Sequence, residues 1–399
     1  MVNINLSMIT PAIRDNPYPY YAMARQMAPV IYNEAVRAWN VFTYEDCRAI
    51  LRNHEVFSSD PTKFIPELQR ERQSMLTTDP PRHTQLRGLV NQAFTPRRVA
   101  ELEPRICEVT NELLDAVLPT GRLDVVEHLA YPLPVIIIAE LLGVPAEDRA
   151  QFKRWSDVIV ANLGRDLISQ EIPEEVFAVQ EEFIAYFQEQ LEDHRRHPRD
   201  DLIGALLQAE IDGRKLTPEE LLSFCILLLV AGNETTTNLI GNAVRCFLEH
   251  PDELARVRAD LSLVPSAVEE VLRYRSPVQA TIRIAAEDTE IRGNPVRRGQ
   301  RVVVWIGAAN RDPAEFPDPD RFDVTRTPNR HLSFGHGIHF CLGAPLARLE
   351  AKVAIETLLQ RIPAFARADQ TPYEPVEGFI MHGVKHLPLA FDAAATAAV

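Results

Sequence analysis

The run Phe334-Gly335-His336-Gly337-Ile338-His339-Phe340-Cys341-Leu342-Gly343 places one cysteine on a glycine-bearing loop directly before a stretch of helical periodicity. From Leu342 to about Ile362 the apolar residues Leu346, Leu349, Val353, Ile355, Leu358 and Leu359 recur at helical spacing, so Cys341 is expected at a helix N-terminus. That end carries unpaired backbone N–H groups and the positive pole of the helix dipole. Both favour thiolate over thiol, and the thiolate is the form that ligates a metal. Gly335, Gly337 and Gly343 permit positive φ and close approach to a flat ligand, with Phe334 and Phe340 flanking the loop. A buried structural cysteine in a glycine-rich turn is the alternative.

Three further groups have types and spacings that suit chemistry. Glu270 and Arg273 stand at i and i+3, which brings carboxylate and guanidinium onto one helical face; alone, such a pair is commonly a surface ion pair. Ala231-Gly232-Asn233-Glu234-Thr235-Thr236 puts glycine and β-branched threonines inside a helical pattern, a loss of propensity that points either to close helix packing or to a site. His83 and Arg87 lie at i and i+4 after a Pro80-Pro81 helix-start signal.

The elements that must position these residues are mostly helical. Helices are expected at Glu101 to Leu118, Pro132 to Leu142, Pro173 to His194, Leu202 to Glu210 and Thr217 to Glu249; the last opens on Thr217-Pro218-Glu219-Glu220, a capping box with proline at the first helical position. Short strands are expected at Val30 to Tyr32, Asn40 to Thr43, Thr289 to Ile291 and Arg301 to Trp305, the last two separated by a Gly293-Asn294-Pro295 turn. Weaker strand patterns lie near Phe379 to Met381 and Leu387 to Ala390. Strands drawn from both ends of the chain favour one continuous fold over separable domains.

Composition bounds the function. The 399 residues are 46% hydrophobic and 25% charged, as in a globular protein with a substantial core. The longest apolar run, which contains Cys225 to Ala231, is too short for a bilayer, and Met1 to Thr10 lacks the pattern of a secretory signal, which points to a cytoplasmic protein. Cys47, Cys107, Cys225, Cys246 and Cys341 are scattered and unpaired in sequence, against a disulfide framework. A net charge of −14 argues against nucleic acid or an anionic membrane as partner. Local basic clusters remain at Arg97, Arg98 and Arg105 and at Arg330, Arg348 and Lys352.

The full spacing F-x-x-G-x-x-x-C-x-G, running on into Ala344-Pro345-Leu346-Ala347-Arg348, resembles the haem-binding signature of the cytochrome P450 monooxygenases, soluble bacterial type. The resemblance extends from Asn16-Pro17-Tyr18-Pro19 to Leu389. It implies a mainly α fold with a small β portion: one triangular-prism-like domain over residues 1–399, with a long central helix over the haem. The cofactor implied is haem b, iron protoporphyrin IX, with Cys341 as axial thiolate and Phe334 and Gly335 in the binding loop. His83, Arg87, Arg283 and His339 match positions that hold the haem propionates, which need cations when buried. Ala231 and Gly232 match residues that leave room for dioxygen, and Glu234 and Thr235 match an acid–alcohol pair that relays protons during oxygen activation. Asn233 stands where His is frequent. Glu270 and Arg273, with Arg321 from Phe316-Pro317-Asp318-Pro319-Asp320-Arg321-Phe322, match a structural lock on the thiolate loop.

By the same resemblance the substrate pocket draws on Phe64, Ile65, Leu68, Val278, Ile282, Phe379 and Ile380, an apolar set suited to a fatty acid, terpenoid, steroid or macrolide-like molecule. Lys63, Arg70 and Arg72 are candidates to hold a substrate carboxylate. No flavin or iron–sulfur module is evident, so the two electrons for O2 would come from a ferredoxin or flavodoxin fed by an NAD(P)H-dependent reductase, docking on Arg97, Arg98, Arg330, Arg348 and Lys352; the protein would act as a monomer. Three alternatives stay open: a haem protein that only carries electrons or senses gas, a peroxide-driven peroxygenase, and zinc binding by His331, His336, His339 and Cys341.

Overall fold

The computed structural model describes residues 10–64, 74–161 and 173–396. The chain divides into two compact units, each assembled from separate stretches: Met1–Ser58 with Glu103–Leu133 and Thr235–Val399, and Ser59–Leu102 with Pro134–Glu234.

The first unit is organised by a five-stranded sheet whose central strand is Arg301–Val304. Ala38–Val41 pairs with it in parallel, Val41 opposite Val304, and Thr281–Ala285 pairs antiparallel on the other side; Val30–Asn33 and Phe57–Ser58 form the edges. Val302 and Val304 enter a core with Cys47, Ile50 and Leu51 of helix Tyr44–Arg52, while Val303 and Trp305 enter a second with Tyr18, Tyr21 and Phe42. A strand buried on both faces has no polar side to show, which is why Val302 to Trp305 is an unbroken apolar run.

Some expected strands differ in the structure. Thr289–Ile291 pairs with Asn294–Val296 through a two-residue turn at Arg292 and Gly293, with φ of 49° and 77°, so the proline belongs to a strand and not to the turn. Phe379 to Met381 forms only one bridge, Val278 to Met381, because the chain there follows a loop after Gly378 (φ 81°). The C-terminal strand is Pro388–Phe391, between Arg122–Asp124 and Phe365–Arg367. Thr281–Ala285 was hidden in the sequence by an arginine at its centre.

The second unit is helical among its described residues. Its core packs Phe152 and Trp155 of Arg149–Ala161 against Phe183 and Phe187 of Glu174–Arg196; the Phe183 and Phe187 rings are 4.5 Å apart. Asp201 caps Leu202–Gln208 by accepting the Gly204 N–H at 2.8 Å, and its other oxygen lies 2.7 Å from His194 Nε2.

Pro218–Glu249 runs from the second unit into the first, with the boundary between Glu234 and Thr235. Its start is the expected capping box: Thr217 Oγ1 accepts the Glu220 N–H at 3.2 Å, and Glu220 Oε2 accepts the Thr217 N–H at 3.0 Å. An 18-residue window of this helix has mean hydropathy 1.2, and 61% of it is buried inside the protein, as in a core helix.

The helix after the cysteine loop, Ala344–Arg361, contains a carboxyl that its sequence pattern hides. Glu350 is 1% exposed, its Oε1 has no hydrogen-bond partner among the described residues, and burial pushes it from 4.5 up to about 8. A carboxyl raised in the folded state costs nothing below its unfolded value; the cost grows as pH rises from there toward the folded value. Glu350→Gln should therefore cancel a loss of stability, on the order of a few kcal/mol, that the parent suffers between pH 4.5 and about 8. Thermal unfolding midpoints measured across that range check this; parallel curves for variant and parent would refute it.

Candidate active site

In the first unit, the loop that carries Cys341 turns twice through left-handed backbone, at Gly335 (φ 72°) and Gly337 (φ 75°). A Cβ on Gly337 would sit 2.7 Å from the Leu51 carbonyl oxygen, so only glycine lets the loop lie against the end of Tyr44–Arg52. The Cys341 N–H donates to the Phe334 carbonyl at 2.8 Å and closes the loop. Gly343 is the helix N-cap, and a Cβ built on it would fall 3.9 Å from Cys341 Sγ. The sulfur thus lies beside the helix start, although the helix begins at Ala344 and not at Leu342. Burial pushes the other thiols up, Cys225 to about 12 and Cys246 to about 11, with Cys47 and Cys107 also raised. Those four cysteines are therefore held as thiols.

Glu270 and Arg273 on Val264–Tyr274 form a salt bridge with both side chains fully buried, not a surface pair. Every Arg273 N–H is used: Nε and Nη2 donate to Glu270, and the remaining protons reach the carbonyls of Asn310, Pro319 and Arg321 at 2.8–3.0 Å. Arg321 enters this lock through its carbonyl, and its side chain is exposed. The side chains that complete it are Arg326, whose Nε is 3.2 Å from Glu270 Oε1, and Asn329, whose Nδ2 is 3.2 Å from Oε2. Arg321 thus joins the lock through its backbone, and the second guanidinium on Glu270 is that of Arg326. Arg326 is better placed because its Nη1 and Nη2 also collect the carbonyls of Pro317, Asp318 and Arg321. Asn310 ties the lock to the cysteine loop, accepting the Leu332 N–H at 2.7 Å and donating to Ser333 Oγ at 2.9 Å.

Arg283 is 7% exposed at the middle of its strand, with Nη1 donating to the Ile282 carbonyl at 2.8 Å and to Thr281 Oγ1 at 3.3 Å. His339 ends the 3₁₀ turn Gly337–His339. Val278, Ile282, Phe379 and Ile380 are half-buried and gathered: Val278 bridges to Met381, the Gln279 N–H donates to the Ile380 carbonyl at 2.6 Å, and Ile282 and Phe379 pack on one core cluster.

In the second unit, His83 and Arg87 share a face of Arg82–Ala93, His83 buried and Arg87 half-buried. Glu234 is half-buried; burial pushes it from 4.5 up to about 7, and Oε2 has no hydrogen-bond partner among the described residues. Ala231 is exposed in mid-helix. A Cβ on Gly232 would fall 2.6 Å from Ile138 Cδ1, so a larger residue there would have to push that side-chain tip aside. Asn233 is fully buried and donates to Ser156 Oγ at 2.6 Å, a partner the sequence did not signal. Phe64 is half-buried, while Ile65, Leu68, Arg70 and Arg72 lie outside the described residues. Lys63 is committed to Asp79 at 2.6 Å and is not free for a substrate carboxylate.

Most of the cations expected to attract a partner are already paired: Arg97 with Glu101, Arg98 with Asp200, Arg348 with Glu269, and Lys352 with Glu103. Among the described residues Arg330, Arg48 and Arg52 make no ion pair, and all three are exposed. Burial, then the charges of Arg48 and Arg52, push His336 below its usual value, which puts both arginines near the cysteine loop. Phe340 is 42% exposed on that loop. The zinc alternative fails on geometry: among the described residues the histidine, cysteine and acidic groups gathered within ligand distance are Asp124, Glu127 and His386, and His331 Nε2 is engaged by Glu269.

The cytochrome P450 family matches residues 29–386. The chain is 46% identical to cytochrome P450 109 of Bacillus spizizenii, over 94% of this chain and 91% of that protein. It is 42% identical to 6-deoxyerythronolide B hydroxylase of Saccharopolyspora erythraea, over 94% and 96%. The crystal structure of CYP109E1 from Bacillus megaterium in complex with testosterone matches with a TM-score of 0.87 at 44% identity, covering 94% of this chain and 99% of that one. The chain belongs to the cytochrome P450 family. It is a haem-dependent monooxygenase, with the Cys341 thiolate as the axial ligand of haem b, and the loop geometry and donor chemistry above fit that group.

Arg326→Ala should lower the unfolding midpoint and the haem content, because it strips one of several partners from a fully buried carboxylate, a loss of about 1.5–3 kcal/mol for a hydrogen bond to a charged group. Arg321→Ala should leave both near the parent. Haem-to-protein absorbance ratios and thermal melts decide, and equal losses in the two variants would contradict the geometry.

Proposed function

We propose that the protein hydroxylates C–H bonds of a lipophilic small molecule, using O2 and two electrons from a separate ferredoxin or flavodoxin with an NAD(P)H-dependent reductase, as a cytoplasmic monomer. The observation that carries this is Glu234. A carboxyl raised to about 7 is populated in both protonation states near neutral pH, so it can take up and give up a proton there. Thr235, next on the same helix, supplies a hydroxyl that accepts and donates. Haem held by a thiolate supplies an electron-rich iron that activates dioxygen for insertion into a C–H bond. The role left to this chain is to hold the thiolate, exclude water and move protons, and Glu234 with Thr235 favours that role over bare electron transfer or peroxide-driven turnover.

The gathered Val278, Ile282, Phe379 and Ile380 favour an apolar substrate. One related structure holds testosterone, another holds a hexadecenoic acid ligated to acyl carrier protein, and a related protein is named 6-deoxyerythronolide B hydroxylase; these support a lipophilic substrate of the fatty acid, terpenoid, steroid or macrolide-like kind. His83, Arg87, Arg283 and His339 would hold the haem propionates.

The reduced, CO-treated protein should show the red-shifted Soret band of thiolate-ligated haem, lost in Cys341→Ala. Thr235→Ala should keep the band but divert reducing equivalents to hydrogen peroxide. Undiminished coupling in that variant would count against the relay, and a parent without the band would overturn the whole reading.

For the electron donor, we place the docking surface on Arg48, Arg52 and Arg330 around the exposed Phe340, since unpaired cations attract an acidic partner more strongly than cations already neutralised. Reversing Arg48 and Arg52 to glutamate should weaken the partner's apparent affinity about tenfold or more at low salt, less at high salt. Reversing Arg97 and Arg98 should do little. Reduction kinetics unaffected by the first pair would reject this surface.

A further inference from the structure

Helix Val264–Tyr274 carries two consecutive glutamates, and the lock described above uses only the second. Glu269 faces a different set. Its Oε1 lies 2.7 Å from Arg348 Nε and its Oε2 lies 2.9 Å from Arg348 Nη2, a bidentate pair, and Oε2 is also 3.1 Å from His331 Nε2. Burial works against the charge on Glu269, yet hydrogen bonds from Arg348 and His331 outweigh it and hold the carboxyl down at about 2.

Both partners of Glu269 touch the cysteine loop. The Arg348 guanidinium carbon lies 4.4 Å from the centre of the Phe334 ring, in cation–π range, and the His331 and Phe334 ring centres are 6.0 Å apart. His331 Nδ1 accepts the Ser333 N–H at 3.3 Å, so the backbone just before Phe334 is held as well. Phe334 in turn supplies the carbonyl that takes the Cys341 N–H. One carboxylate therefore orients two side chains that hold Phe334, and Phe334 anchors the cysteine's own amide.

We propose that Glu269, His331 and Arg348 are positioning residues for the thiolate: they hold Phe334 and, through its carbonyl, fix the backbone of Cys341, and so set how strongly the sulfur donates to haem iron. This rests on the haem–thiolate assignment. Arg348 acts here through the geometry of its planar fork as well as its charge, and that geometry separates this role from partner docking and from long-range electrostatics. A lysine keeps the charge but cannot bind a carboxylate bidentately or lie flat on an aromatic ring.

The test uses haem-loaded protein and a small-molecule reductant, so that no docking step contributes. The readouts are the ratio of reduced to oxidised haem at a fixed applied potential and the Soret position of the reduced CO form. Arg348→Lys and Glu269→Gln should each move that ratio about fivefold, the equivalent of one weak contact, while Lys352→Gln on the same helix leaves it unchanged. Arg348→Lys placed in a Phe334→Leu background should add little, because the ring through which it acts is gone. Should either variant fail to retain haem, His331→Gln gives a smaller shift of the same ratio. A parent-like ratio in Arg348→Lys, an equal shift in Lys352→Gln, or additive effects of Arg348→Lys and Phe334→Leu would each overturn the proposal. A parent protein without the thiolate band would instead overturn the haem–thiolate assignment itself.

Discussion

A carboxylate and a guanidinium buried together at Glu270 and Arg273 are the constraint on which the thiolate side of this protein depends. Neither side chain is exposed, so each would carry a desolvation cost of several kcal/mol without full compensation. Compensation is complete on the arginine, where every N–H has an acceptor, and extensive on the glutamate, which also takes the Asp323 N–H, Arg326 and Asn329. The acceptors on Arg273 are carbonyls of Asn310, Pro319 and Arg321, residues of irregular chain with no helix or strand to satisfy them. The ion pair thereby organises loops that could not organise themselves, and Asn310 passes that order to Leu332 and Ser333, at the entrance to the cysteine loop.

Adjacent glutamates on one helix divide this work. Successive helical residues point about 100° apart, so Glu270 turns inward to the irregular chain while Glu269 turns to Arg348 and His331. The cysteine loop is then held from several directions: by Asn310 behind it, by Arg348 and His331 around Phe334, and by Gly337 pressed onto the end of Tyr44–Arg52. Only a loop fixed this firmly would keep a sulfur at one position beside a helix start.

Acidic groups elsewhere are used in the opposite sense. Glu234, half-buried, and Glu350, fully buried, lack the partners that hold Glu269 low, and burial raises both, to about 7 and about 8. Three carboxyls in one chain thus span several pH units through environment alone. A proton carrier needs an environment like that of Glu234, and a structural anchor one like that of Glu269.

Motif spacing alone disclosed the cysteine loop, the Glu270–Arg273 pair, the capping box at Thr217 and the long helix it starts, because each depends on residues within about one or two helical turns. The apolar run at Val302 to Trp305 likewise announced a strand. What the sequence could not disclose is which distant partner each polar group chooses. Arg321 and Arg326 are equivalent on paper, and only the path of the chain decides that one lends a carbonyl and the other its guanidinium. Arg348 was expected to be a docking cation until Glu269 closed on it, and nothing local signalled that Asn233 would meet Ser156 or that Glu350 would be turned inward by its helix. Local spacing determines an element and its candidate chemistry. Desolvation, which raises a carboxyl or compels a salt bridge, exists only once the chain has packed, so tertiary structure alone decided which charges are buried, paired or free.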